Sequence, residues 1–213
     1  MREALTAKAQ KKGRTHEAIL ESAARLLREK GIAGAGVADV MKGAGLTVGG
    51  FYAHFDSKED LIDEALRRTS SDVRERLFEG LSDKPADKRA EMVLKRYLSA
   101  EHRDEFGKGC ALSAVVGEIG TTAGEHREVL REQFTALSST LSELLPPASE
   151  PPRRYLAIAL VALMYGGLSL SRALRGTPLS DDVLRACRAL GTAALRTAGD
   201  VVDLARERSG RKA

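Results

Sequence analysis

Cysteine is nearly absent: Cys110 and Cys187 are the only two in 213 residues, too few for a disulfide framework. The charged start, MREALTAKAQKKGR, lacks the apolar core of a secretion signal. The expected compartment is therefore the reducing cytoplasm. The most apolar stretch, Tyr155 to Ser171, carries no charge, but it is short for a membrane span and rich in Ala and Gly. It reads as a buried or interface helix, and no membrane partner is expected. Catalytic signatures are missing too. There is no phosphate-binding glycine loop, no Gly-x-Ser-x-Gly, and no Cys with a His that sequence can position. His102 and His126 lie beside Glu101 and Glu125 but form no chelating i, i+4 pair, so neither metal nor cofactor is expected. The chain is not read as an enzyme.

Proline, at six residues, is also scarce, while 43% hydrophobic content supports a packed core and 30% charged content favours helices. The fold class that follows is all-α. A first helix is predicted over THEAILESAARLLREKG, with Ile19, Ala23, Leu26 and Leu27 as its apolar stripe, Thr15 as its cap and Gly31 as its stop. Two short helices, VADVMKGA and one from about Thr47, hinge at Gly45, and this suggests a helix-turn-helix. Ser57 with Asp60 caps a long helix towards Phe78, striped by Leu61, Ile62, Ala65, Leu66, Val73 and Leu77. Further helices are predicted over DKRAEMVLKRYLSAEH, from CALSAVVGEIG, over Ala123 to Leu145, over Arg153 to Arg175 and from Asp181 to about Arg206. No internal repeat is seen. The expected division is a small amino-terminal three-helix unit over residues 1–60 and a larger helical body over 61–213.

Aromatics are few, five Phe and four Tyr, yet Phe51, Tyr52 and Phe55 crowd one short window just after Gly49 and Gly50. A tight two-helix corner needs small residues and a left-handed glycine, supplied by Gly43, Ala44 and Gly45. An ordinary αα-corner would satisfy the same pattern. The net charge of +4 is weak, but Arg2, Lys8, Lys11, Lys12 and Arg14 face only Glu3 before the first helix. Such a basic arm serves either as a solubilising tail or as a nucleic-acid contact.

The run TVGGFYAHF followed by SKEDL resembles the TetR family of bacterial transcriptional regulators, in order and spacing, from Thr15 to Leu61. That resemblance implies a dimeric DNA-binding regulator, a repressor released from an inverted-repeat operator by a small-molecule effector. It assigns Tyr52 and His54 to phosphate contacts, with Lys58 adding charge. Lys42, Thr47, Val48, Gly49 and Gly50 complete the candidate DNA-binding set, in which bare glycines allow close approach. Each has a plainer reading: Tyr52 packed with its hydroxyl in water, His54 a surface histidine, Lys58 part of a solvated face. Val48 and Gly50 replace longer or polar side chains, and Ala38 is equally mute. Readout therefore leans on thymine methyls, on Lys42, on the basic arm and on DNA shape. The contrasting class is a helical small-molecule binding or enzyme domain that does not use the motif.

Reading an inverted repeat requires two recognition elements roughly 34 Å apart, hence a homodimer. Candidate interface residues are Leu160, Met164 and Gly167, in a helix where Ala157, Ala162 and Gly166 also permit close packing, together with Val183, Cys187, Leu190 and Ala194. By family resemblance a ligand cavity lies between Ile62 and Arg175, with Met92, Tyr97, His102, Phe106, Cys110, Phe134 and Tyr165 as candidates, and His126 beside them. Cys110, near a helix start and Lys108, is read either as a reactive sensor or as a small packing residue.

Overall fold

The computed structural model describes residues 2–105, 109–146 and 152–210, with side chains described from 10 to 198 within those ranges. Every regular element among them is helical. The chain forms two compact units, Met1–Asp72 with Phe106–Leu130, and Val73–Glu105 with Arg131–Ala213. The first unit is therefore built from two separate stretches of sequence.

Helix α1, Arg2–Lys30, starts well before the predicted cap. Thr15 is not an N-cap. The Ala, Lys, Gln and Arg residues upstream are good helix formers, and the Thr15 hydroxyl donates to the Lys11 carbonyl one turn back, 3.0 Å. The basic segment is thus helical rather than an extended arm, and Lys11, Lys12 and Arg14 stand exposed on it. Gly31 ends the helix at φ +72°. A long-range contact holds the following loop: the Glu118 carboxylate accepts from the backbone N–H of Ile32 and of Ala33, each at 3.1 Å. Glu118 belongs to α6, Leu112–Thr121, which packs on α1.

Helix α2, Val37–Gly43, ends in two interlocked bonds, Leu46 N–H to the Met41 carbonyl and Gly45 N–H to the Lys42 carbonyl. Gly45 sits at φ +72° between them, the Schellman arrangement that only glycine adopts without strain. A 3-10 helix, Val48–Ala53, follows, and then α3, Lys58–Phe78. Ser57 Oγ accepts from Asp60 N–H at 3.0 Å, so the predicted cap is present. All six predicted stripe residues of α3 are buried. Near its end the Arg96 guanidinium donates to the carbonyls of Leu77 and Glu79, 2.7 and 2.8 Å.

In the second unit the helix predicted through His102 divides. Helix α4, Ala86–Tyr97, stops because the Ser99 hydroxyl accepts from His102 N–H and starts a separate α5, Ala100–Asp104. The helix predicted from Ala123 starts in the first unit, with a 3-10 turn, Gly124–His126, before α7, Arg127–Glu143. Helices α8, Arg153–Ala173, and α9, Pro178–Gly210, pack on each other and on α4. Their junction is fixed by a buried pair, with Ser171 Oγ donating to the Ser180 carbonyl at 2.8 Å. At 21 residues α8 is long enough to cross a bilayer, but half of its most apolar window is buried inside the protein.

Candidate nucleic-acid interface

The corner is assembled on α1. Ile19, Ala23, Leu26 and Leu27 are buried, as are Val40 and Met41 of α2 and Phe51 and Phe55 around the 3-10 helix. Ser22 Oγ donates to the Val40 carbonyl at 2.9 Å. A Cβ at Gly43 would lie 2.3 Å from that same Ser22 Oγ, so a side chain there would push the hydroxyl off its bond to Val40. Phe51 and Phe55 lie with ring centroids 5.7 Å apart, and His16 stacks on Phe55 at 4.5 Å and 19°. His16 Nε2 in turn meets Glu64 Oε1 at 2.7 Å. Burying a phenylalanine contributes about 1.5–3 kcal/mol, and two such anchors offset the two glycines that loosen the 3-10 helix.

With its aromatic anchors turned inward, the segment leaves the rest of its surface to solvent. Thr47, Val48, Gly49, Tyr52 and Ala53 are exposed, Tyr52 by 77% and Val48 by 50%. Lys42 at the end of α2 is exposed as well, and so is Ala38. Lys58 is half-buried, with Nζ 3.4 Å from the Ile32 carbonyl. A six-residue 3-10 helix gathers little macrodipole, so attraction for phosphate falls to the side chains rather than to a helix terminus.

His54 closes the segment. Its N–H reaches the Phe51 carbonyl at 2.9 Å, while its Nδ1 is buried without a hydrogen-bond partner. Burial holds its pKa below the ordinary imidazole value, and the neighbouring His16 and Lys12 add to that effect. His16 lies 5.9 Å from it, centroid to centroid. The free imidazole therefore favours its neutral form.

The ligand candidates separate into two groups. In the second unit Tyr97 is fully buried and meets His102 edge-on at 4.6 Å and Tyr165 in a stack at 6.0 Å, while Phe134 meets Tyr165 edge-on at 6.0 Å. His102 Nδ1 bonds the Tyr97 carbonyl at 2.7 Å. Burial pushes its pKa down to about 4 against that bond, with Arg172 and Arg76 adding positive charge. Met92 is half-buried. Cys110 is buried and belongs to the first unit, whereas the cluster belongs to the second. His126 is also in the first unit, and its Nδ1 is held by Asp63 at 2.7 Å. Phe106 and Lys108 lie outside the described residues.

The interface candidates fall into two sets. Leu160, Met164 and Gly167 are buried within the chain, and a Cβ at Gly167 would press on Cys187 Sγ at 2.9 Å and Leu98 Cδ2 at 3.0 Å. These residues pack α8 inward and are not free for a second copy. Val183, Cys187 and Ala194 are half-buried, and burial pushes the Cys187 thiol pKa up; Leu190 is exposed by 64%. The outward face of α8 is Tyr155, Ala159, Ala162, Gly166 and Leu170, residues spaced three to four apart, of which the sequence had singled out only Ala162 and Gly166.

Residues 19–65 match the family model described as bacterial regulatory proteins, tetR family. A 63-residue segment is 43% identical to the HTH-type transcriptional repressor KstR2 of Rhodococcus jostii (strain RHA1), covering 30% of each chain. The matched region thus spans less than a third of the length of that curated relative. The HTH-type transcriptional regulator AcrR of Shigella flexneri is 26% identical over 141 residues, 62% of this chain and 64% of that one. Among solved structures, a TetR transcriptional regulator from Chloroflexus aurantiacus J-10-FL aligns with a TM-score of 0.73 at 26% identity, over 88% of this chain and 96% of that one.

Proposed function

The chain belongs to the tetR family of bacterial regulatory proteins through residues 19–65, and on that premise we propose that it is a DNA-binding transcriptional repressor, working as a homodimer and released from its operator by a small molecule. The observation that carries this reading is the outward face of the corner. A buried aromatic pair holds a short segment whose exposed side includes Tyr52, Val48 and Thr47, beside Lys42 and the cationic stretch of α1. Tyr52 and His54 contact phosphates, and Lys42, Lys58 and the α1 cations add the charge that brings the duplex in. The apolar outward faces of α8 and α9, with Tyr155, Ala159, Ala162, Gly166, Leu170 and Leu190, join two copies. The effector acts on the second unit, where Tyr97, His102, Phe134 and Tyr165 combine aromatic surface with a neutral imidazole. DNA-binding and effector-binding roles thus fall to the first and the second unit respectively.

The test is selection of bound fragments from random-sequence duplex by the purified protein. An inverted repeat is expected to be enriched, and its affinity should fall with salt with a logarithmic slope of roughly −0.9 per neutralised phosphate. Tyr52→Ala should weaken every sequence by a similar factor, as expected of a phosphate contact. Binding that prefers no sequence over random duplex would remove the regulator reading.

A further inference from the structure

Gly49 is a glycine that the protein's own packing does not require. Its φ is outside the left-handed region, and a Cβ built there meets nothing within 4 Å. Gly43 and Gly45 are different, since a Cβ at the first would press on Ser22 Oγ and the second has a φ of +72°. Glycine weakens a helical segment relative to alanine, and at position 49 no contact within the chain offsets that loss. The bare backbone leaves room there for a partner to come closer than a methyl group would allow.

The residue before it indicates what that partner displays. Val48 is exposed by 50%, β-branched and apolar, at the first position of the 3-10 helix. Ala38, also exposed, and Gly50 offer no side-chain donor or acceptor. The tip of the corner therefore presents one isopropyl group beside an approachable backbone. In the major groove the apolar group displayed on the base edges is the C5 methyl of thymine. We propose that Val48 reads this methyl, with Gly49 keeping the backbone close enough for the two groups to touch. The inference rests on the DNA-binding reading above and adds the chemical group that is recognised.

Thymine and uracil differ only in that methyl, so the experiment replaces each thymine of the selected duplex by deoxyuridine in turn and measures binding by the full-length protein. One thymine per half-site is expected to matter, with affinity falling about fourfold on its replacement, the factor set by burying one methyl. In Val48→Ala the thymine and uracil duplexes should bind alike at that position. Val48→Thr, which keeps one methyl, should retain part of the discrimination. Gly49→Ala should melt no lower than the parent protein yet bind both duplexes more weakly by the same factor. A preferred duplex indifferent to every replacement, or without thymine in its half-sites, would overturn the Val48 inference alone. So would Val48→Ala discriminating as the parent does. Gly49→Ala binding as tightly as the parent would overturn the close approach. If no duplex is preferred at all, the DNA-binding reading fails and this inference fails with it.

Discussion

His54 combines three features that make it responsive to a phosphate: a buried Nδ1 without a partner, the neighbouring His16 and Lys12 on α1, and a position beside exposed Tyr52. Lys12 and His16 face it from α1, and Glu64 of α3 reaches it only through His16. Its pKa is depressed in the free protein, and a phosphate oxygen would raise it in the complex, because an anion stabilises the imidazolium. Binding then takes up a proton, so affinity should increase as pH falls between those two pKa values, with a logarithmic slope of at most about one per protomer. Anisotropy titrations between pH 5 and 8 check this, and His54→Gln should flatten the profile. His102 produces the opposite dependence for stability. Its folded pKa of about 4 lies below its unfolded 6.5, so the unfolded chain binds the proton first and stability is lost as pH falls through that window. The loss amounts to about 3 kcal/mol at pH 4. Urea unfolding of wild type and His102→Gln at pH 7 and 4.5 should show the wild type losing more.

At the scale of elements, α8 has two adjacent glycines with opposite surroundings. Gly167 is enclosed by Cys187 and Leu98, whereas a Cβ at Gly166 would meet nothing within 4 Å. Gly167→Leu should therefore destabilise the fold itself, by about 1–3 kcal/mol or more for overpacking. Gly166→Leu should leave the single chain folded and disrupt association. Sedimentation and thermal melting separate the two effects, and a Gly166→Leu dimer as tight as wild type would place the interface elsewhere. Periodicity located this helix and its small residues but not their direction. Successive residues are about 100° apart around a helix, and choosing the inward one depends on what α4 and α9 bring up to it. That is why Gly167 was legible as a close-packing position and illegible as an internal one.

Across the whole molecule, what the sequence made legible is local. Gly45 as the left-handed stop, Ser57 as the cap and the α3 stripe each follow from turn chemistry or spacing within a few residues. Contacts between distant stretches left no such trace. Glu118 with Ile32, 86 residues apart, and His126 with Asp63 join ordinary charged residues to a loop and a helix that give no sign of needing them. Thr15 misled because its upstream neighbours are themselves helix formers.

Glu118 also bears on the order in which the protein can be made. The ribosome delivers α1, α2, the 3-10 helix and the start of α3 first, yet the carboxylate that holds the Ile32 and Ala33 amides emerges only after α4 and α5. Until then those amides have water alone, and the nascent corner lacks the rest of its own unit, Phe106–Leu130. A chain arrested before residue 106 should be digested by protease at the loop after α1, and one arrested well past residue 130 should resist. Any attempt to transplant the corner into another protein as a continuous piece would leave the same gap.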